Sequence, residues 1–167
     1  MNILITGVHG FVGSNLVRYL SKEHTIFGLD IVKPQKEGVK ATFSWEALDT
    51  ADALPDIDAV IHLAGKAHDT RNKSAADVYF KVNTGLTKKI FDWYMASPMA
   101  RKFIFFSTAK AAAECVSDML YEDVVPTPIG PYGESKIQAE DYIISALAGQ
   151  GVSRQSMASR MPGTEAP

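Results

Sequence analysis

Cysteine is almost missing from this sequence: Cys115 stands alone among 167 residues. An internal disulfide and a cysteine metal cluster are therefore excluded, and its alanine-rich neighbours give it the reading of a small packing residue. Long apolar runs are missing too, since none approaches the roughly 18 residues of a membrane span. There is no basic block, and 17 Lys and Arg stand against 19 Asp and Glu for a formal charge of −2. That balance removes the electrostatic footprint of a nucleic-acid or membrane binder and leaves a small ligand as the expected partner. No basic leader precedes the first apolar run, so the expected location is the cytoplasm. Internal repeats and low-complexity stretches are likewise missing.

What remains is 46% apolar, enough for one globular core. Short apolar runs alternate with segments of helical period: "NILIT", "FVGSNLVRYLSKE", "TIFGLD", "AVIHLAG", a long helix near Ser74 to Ala96, then "KFIFFST". "ATFSW" near Ala41 is a candidate further strand. This βαβ rhythm predicts an α/β fold: a doubly wound, Rossmann-like parallel sheet covered by helices on both faces, with its ligand at the carboxyl ends of the strands. Three prolines between Val124 and Pro131 predict a loop ahead of a last helix that ends near Ala148. Residues 149–167 lack strand and helix period and are expected to be an irregular tail, leaving 1–148 as the ligand-binding domain and the sheet incomplete at its carboxy-terminal edge.

"LITGVHGFVGSNLV" puts Gly7, Gly10 and Gly13 between the first strand and the first helix. There a chain must turn tightly, admit a pyrophosphate to its backbone and pack helix on sheet, while the helix amino terminus offers N–H groups to phosphate. The spacing is GxxGxxG, and three glycines can also be simple turn formers. Asp30 closes the second strand at the distance where an acid accepts hydrogen bonds from the adenosine ribose, although a strand-ending turn residue is the competing reading. A carboxylate there repels a 2′-phosphate and the next residue is Ile31, not arginine. The expected cofactor is NAD in preference to NADP.

In "GPYGESKIQAE", Tyr132 and Lys136 lie one helical turn apart. A phenol titrates near 10 in water and is a poor base at neutral pH, but a neighbouring ammonium favours phenolate. The pair then moves a proton to or from a substrate hydroxyl as hydride passes to a nicotinamide. Such pairs also arise by chance on helix surfaces. Thr108, at the end of "KFIFFST", is a candidate to hold the substrate oxygen; Ser107 competes with it, and either can be a polar strand cap.

Taken in order, "TGVHGFVGSNL", Asp30, "VIHLAG", "VNTGLTKKIFD", "FFSTAKAAAE" and "PYGESKIQAE" resemble the extended short-chain dehydrogenase/reductases, with the nearest likeness to NAD-dependent nucleotide-sugar epimerases and dehydratases, over Met1 to Ala148. The resemblance implies NAD contacts at Gly7, Gly10, Phe11, Val12, Gly13 and Asp30. It implies others at Leu63, Ala64 and Gly65, with a structural role for His62. It also implies an active-site asparagine at Asn83, an acid near the adenine at Asp49, and a catalytic set of Thr108, Tyr132 and Lys136, the last two also touching cofactor. A nucleotide sugar is the implied substrate. A homodimer is implied through helices near Val82–Ala96 and Gly133–Ala148, whose apolar residues Ile90, Phe91, Tyr94, Ile137, Tyr142 and Ile144 are alternatively available to pack on the sheet.

Two departures from the family pattern carry information. Dehydratases follow the hydroxyl residue with an Asp-Glu pair, whereas Ala109 and Lys110 stand here, which favours epimerase or reductase; Ala111 to Ala113 replace a Val-Tyr-Gly segment. After Gly149 the family's sixth strand and sugar-binding domain do not follow. The expectation is a truncated or frame-shifted form of an epimerase, with an NAD-binding module lacking turnover as the alternative for the short chain.

Overall fold

The computed structural model describes residues 1–32, 34–66, 75–113, 119–121 and 124–149. Cys115, Ser74 and the segment 150–167 lie outside them, so the readings of a packing cysteine and an irregular tail are not addressed. Among the described residues five parallel strands form one sheet: β1 (Asn2–Thr6), β2 (Thr25–Leu29), β3 (Ala41–Phe43), β4 (Ala59–His62) and β5 (Lys102–Phe105), in the order β3-β2-β1-β4-β5. The chain winds one way from β1 through β3 and the other way from β4. The switch point is therefore between the carboxyl ends of β1 and β4, where such sheets open a crevice.

The central strands read as continuous apolar runs because both faces are covered. Ile3, Ile5, Ile26 and Ile61 meet Val17 of α1 (Phe11–Leu20) on one side. Leu4, Phe27, Leu29 and Val60 meet Ile90 of α3 (Leu86–Ala96) on the other. Alternate residues of one strand thus feed two cores, as the period-2 geometry requires. β5 differs: it is the last strand on its side among the described residues, and Ile104 is 47% exposed.

The segment expected to be one long helix is helical but not uniform. α2 (Ala76–Tyr79) runs into a π-helical stretch, Phe80–Gly85, before α3 begins. A π turn holds one more residue per turn and shifts which side chains face inward. Here it buries the polar residues Asn83 and Thr84 against α5 (Gly130–Ala148). The proline-containing stretch before α5 is irregular from Val124, with Thr127 bridged to Ala113 through Thr127 N–H and the Ala112 carbonyl at 2.7 Å. Among the described residues no helix is long and apolar enough to cross a membrane.

Candidate functional site

The glycine turn is a cradle that side chains would fill. Gly7 has φ +68°, and a Cβ there would sit 3.0 Å from Ala64 N; at Gly13 it would sit 2.5 Å from the Gly7 carbonyl. The first-turn N–H groups of α1, from Phe11 to Gly13, have no intrahelical acceptor, and no acidic side chain occupies that turn. Phe11 is 87% exposed and Val12 is also exposed, so the mouth is open. Backbone N–H groups at the positive end of a helix, with no acidic side chain among them, fit a dinucleotide pyrophosphate.

Asp30 lies at the adjacent end of β2. Its Oδ2 accepts the His9 N–H at 3.1 Å and its Oδ1 accepts the Ile31 N–H at 2.8 Å, joining the glycine turn to the strand end. Each oxygen retains a lone pair for a ribose hydroxyl. His9 Nε2 is buried without a hydrogen-bond partner among the described residues. Asp49 ends a 3₁₀ turn, Trp45–Asp49, and forms an exposed ion pair with Lys89 of α3 at 2.7 Å.

Across the switch point, Thr6 Oγ1 accepts the N–H groups of Leu63 (3.1 Å) and Ala64 (2.9 Å). Gly65 follows, where a Cβ would meet Asn83 Oδ1 at 3.0 Å. Asn83 accepts the Lys66 N–H at 2.7 Å and donates to the Lys66 carbonyl at 3.2 Å and to Ser135 Oγ at 2.9 Å. His62 is 1% exposed, between Thr6 Oγ1 (2.6 Å) and Thr87 Oγ1 (2.9 Å). Burial first, and the Lys136 cation second, lower its pKa to about 3. A buried neutral histidine fits the structural role expected of it.

Tyr132 and Lys136 lie in the first two turns of α5. Tyr132 is half-buried, edge-on to Tyr79 with ring centroids 6.3 Å apart. Lys136 is 7% exposed, donates to the Phe106 carbonyl at 2.7 Å and sits 4.3 Å from the Phe105 ring centre. Burial lowers its pKa to about 8, with the Glu140 carboxylate opposing the shift. Thr108 caps α4 (Ala109–Ala112), its hydroxyl accepting the Lys110 N–H at 3.4 Å. α4 packs so closely on α5 that a Cβ on Gly133 would lie 2.4 Å from the Lys110 carbonyl. Ser107, the competing hydroxyl, donates to Glu140. A cavity of about 300 Å³ between α4 and α5 is lined by Thr108, Ala112, Tyr121, Ile137 and Glu140 among others.

The fold thus brings the glycine turn, Asp30, the 63–65 turn and the end of β5 to one edge of the sheet, with α5 alongside. Sequence reasoning missed Thr6, Thr87, Ser135 and Glu140. The run "VNTGLT", with polar residues on a helix face that must meet the sheet, was the available signal.

The family model described as "NAD dependent epimerase/dehydratase family" matches residues 3–157. The chain belongs to that family. It is 29% identical to a UDP-glucose 4-epimerase of Streptococcus mutans, covering 84% of this chain and 45% of that protein. It is 27% identical to a GDP-6-deoxy-D-mannose reductase of Pseudomonas aeruginosa, covering 85% and 46%. Among solved structures, a UDP-glucuronic acid 4-epimerase from Bacillus cereus, in complex with UDP-glucuronic acid and NAD, superposes with TM-score 0.73 at 27% identity, covering 89% of this chain and 52% of that one. The chain spans about half the length of the curated relatives it matches. It is therefore a member of an NAD-dependent enzyme family, and its five-stranded parallel sheet is the family's Rossmann-like core.

Proposed function

We propose that this chain is the NAD-binding part of a nucleotide-sugar epimerase, with a UDP-sugar as the substrate class. The observation that carries the reading is the buried Lys136, its pKa lowered to about 8, one turn from Tyr132 on the helix beside the end of β5. A structural lysine is rarely kept in such burial, whereas a proton-transfer site calls for it. Residues 1–148 form the NAD-binding domain in this reading.

Gly7, Gly10 and Gly13, with the N–H groups of Phe11 and Val12, hold the pyrophosphate; Asp30 accepts from the adenosine ribose. Asp49 belongs at the adenine side in this reading, and its pair with Lys89 limits it to a second rank. Leu63, Ala64 and Gly65 line the nicotinamide side, and Asn83 holds their turn in place. NAD, when bound, supplies a hydride acceptor and then returns the hydride, so it is regenerated in each cycle. Thr108 hydrogen-bonds the reacting sugar oxygen. Tyr132 takes that hydroxyl's proton as the carbon is oxidised, and the sugar ketone turns in the site. Tyr132 returns the proton as the ketone is reduced from its other face. Lys136 favours the phenolate and reaches the ribose hydroxyls. Ala109 and Lys110 after Thr108 supply no acid–base pair for eliminating water, which favours epimerisation over dehydration.

A cytoplasmic location and a homodimer through α3 and α5 complete the proposal. Ile90 and Phe91 are buried in the monomer, so the pairing face falls to the outer residues of those helices. The test is calorimetry with NAD, followed by incubation with a panel of UDP-sugars and product analysis. NAD binding together with interconversion of a sugar epimer pair supports the reading. A chain that does not bind NAD overturns it.

A further inference from the structure

We propose that His62 is a positioning residue. Fixed as the Nε2–H tautomer between Thr6 and Thr87, it couples the turn at 63–66 to Asn83 and, through Ser135, to the first turn of the helix carrying Tyr132 and Lys136. What the turn and helix do rests on the NAD-site reading above.

The direction of every hydrogen bond follows from the ends of the chain of contacts. The N–H groups of Leu63 and Ala64 can only donate, and both reach Thr6 Oγ1, occupying its two acceptor sites. Thr6 therefore directs its single hydrogen at His62 Nδ1, 2.6 Å away, which must be the bare nitrogen. At the other end the Asn83 carbonyl can only accept, so Thr87 donates to it across 2.6 Å. Thr87 is then free to accept from His62 Nε2–H at 2.9 Å. Two independent ends demand the same tautomer.

The contacts close into a ring. Asn83, which receives the chain at its carbonyl, also grips Lys66 N–H and C=O with its side chain, so the 63–66 turn is held at one end by Thr6 and at the other by Asn83. From Asn83 the connection passes to Ser135 Oγ, which donates to the Tyr132 carbonyl at 2.8 Å, while Thr84 donates to the Ser135 carbonyl at 2.9 Å. A second link runs through one ring: His62 stacks on Phe105 at 5.6 Å, and Lys136 Nζ lies 4.3 Å from the same ring centre. A buried network of this kind restricts its members to one arrangement only while every donor faces an acceptor. Within it, His62 bridges Thr6 of β1 directly to Thr87 of α3, while the 63–66 turn makes the other connection from Thr6 to Asn83.

The test compares variants that keep or lose the direction of the relay. His62→Gln presents a carbonyl toward Thr6 and an N–H toward Thr87; His62→Met fills similar volume with neither. Thr87→Ser keeps the hydroxyl that Thr87→Val removes. In ¹⁵N-histidine NMR of the unaltered chain, His62 is expected as the Nε2–H tautomer, and this needs no variant to fold. In His62→Gln and Thr87→Ser, NAD affinity, the Asn83 side-chain amide exchange rate and the Tyr132 ring resonances are expected near those of the parent. In His62→Met and Thr87→Val, NAD binding weakens about tenfold, amide exchange speeds up at least about tenfold, and the Tyr132 signals move. An Nδ1–H tautomer, or Met and Val variants matching Gln and Ser, overturns the proposal. The NMR arms do not need NAD. A parent that fails to bind NAD while they respond as expected defeats the cofactor reading and leaves the coupling standing, and the reverse pattern defeats the coupling alone.

Discussion

The ammonium of Lys136 donates to the carbonyl of Phe106 at 2.7 Å, so the last turn of sheet before Thr108 and the second turn of α5 are joined by a buried cation. Holding that charge in the interior costs stability. Its folded pKa of about 8 lies below the ordinary 10.5, so the native state releases this proton more readily than the unfolded chain, and stability rises with pH between about 8 and 10.5. Lys136→Met is therefore expected to raise unfolding free energy at pH 7 by ~1–3 kcal/mol, after the lost carbonyl bond is set against the relieved desolvation. Urea unfolding at pH 7 and at pH 10.5 checks this: the gain should shrink at the higher pH. The same variant should bind NAD more weakly, as a destabilised functional site requires.

His62 acts at the acid end of the pH profile, where stability likewise rises with pH. Its folded pKa of about 3 lies below the ordinary 6.5, so its contribution is complete above about 6.5 and is lost as pH falls toward 3. The slope for one proton is ~1.4 kcal/mol per pH unit, so ~2 kcal/mol should be lost between pH 6.5 and 5. Denaturant midpoints over that range, compared with His62→Gln, isolate the effect. The Gln variant should be flatter.

Asp30 is expected to carry ribose recognition in addition to holding the glycine turn to the end of β2. Asp30→Ala should weaken NAD about tenfold or more, since a charge-assisted acceptor is lost. Asp30→Asn should weaken it less and narrow the preference for NAD over NADP. Calorimetry with both nucleotides decides the matter. Equal NAD affinity in parent and Ala variant would remove the ribose assignment.

Two glycines should respond differently to alanine. At Gly13 the new Cβ would meet the Gly7 carbonyl at 2.5 Å and Val8 Cα at 2.9 Å, all backbone, and the substitution should cost ~2–4 kcal/mol and abolish NAD binding. At Gly130 nothing lies within 4 Å, and only the φ of +81° is strained, for ~1 kcal/mol. Thermal unfolding of the two variants gives the ordering directly.

The strands, the glycine turn, Asp30 and the Tyr132–Lys136 spacing were legible from the residues alone because each is a local pattern. A parallel strand buried on both faces must be apolar throughout, a phosphate turn must lack side chains, and one helical turn sets a four-residue interval. The irregular stretch before α5 was readable for the same reason, from its prolines. Other features were not. The ion pair of Asp49 with Lys89, forty positions away, has no local pattern to announce it. The segment near Ser74 to Ala96 read as one long helix, yet a π turn exists where Asn83 and Thr84 find partners on α5. The bonds that define the site's interior join residues 56, 25 and 52 positions apart. Local spacing decides which residues this chain offers to a dinucleotide. Only the crossing of β1, β4, α3 and α5 decides which tautomer His62 holds and how deeply Lys136 is buried, because both depend on partners and solvent exclusion supplied by distant segments.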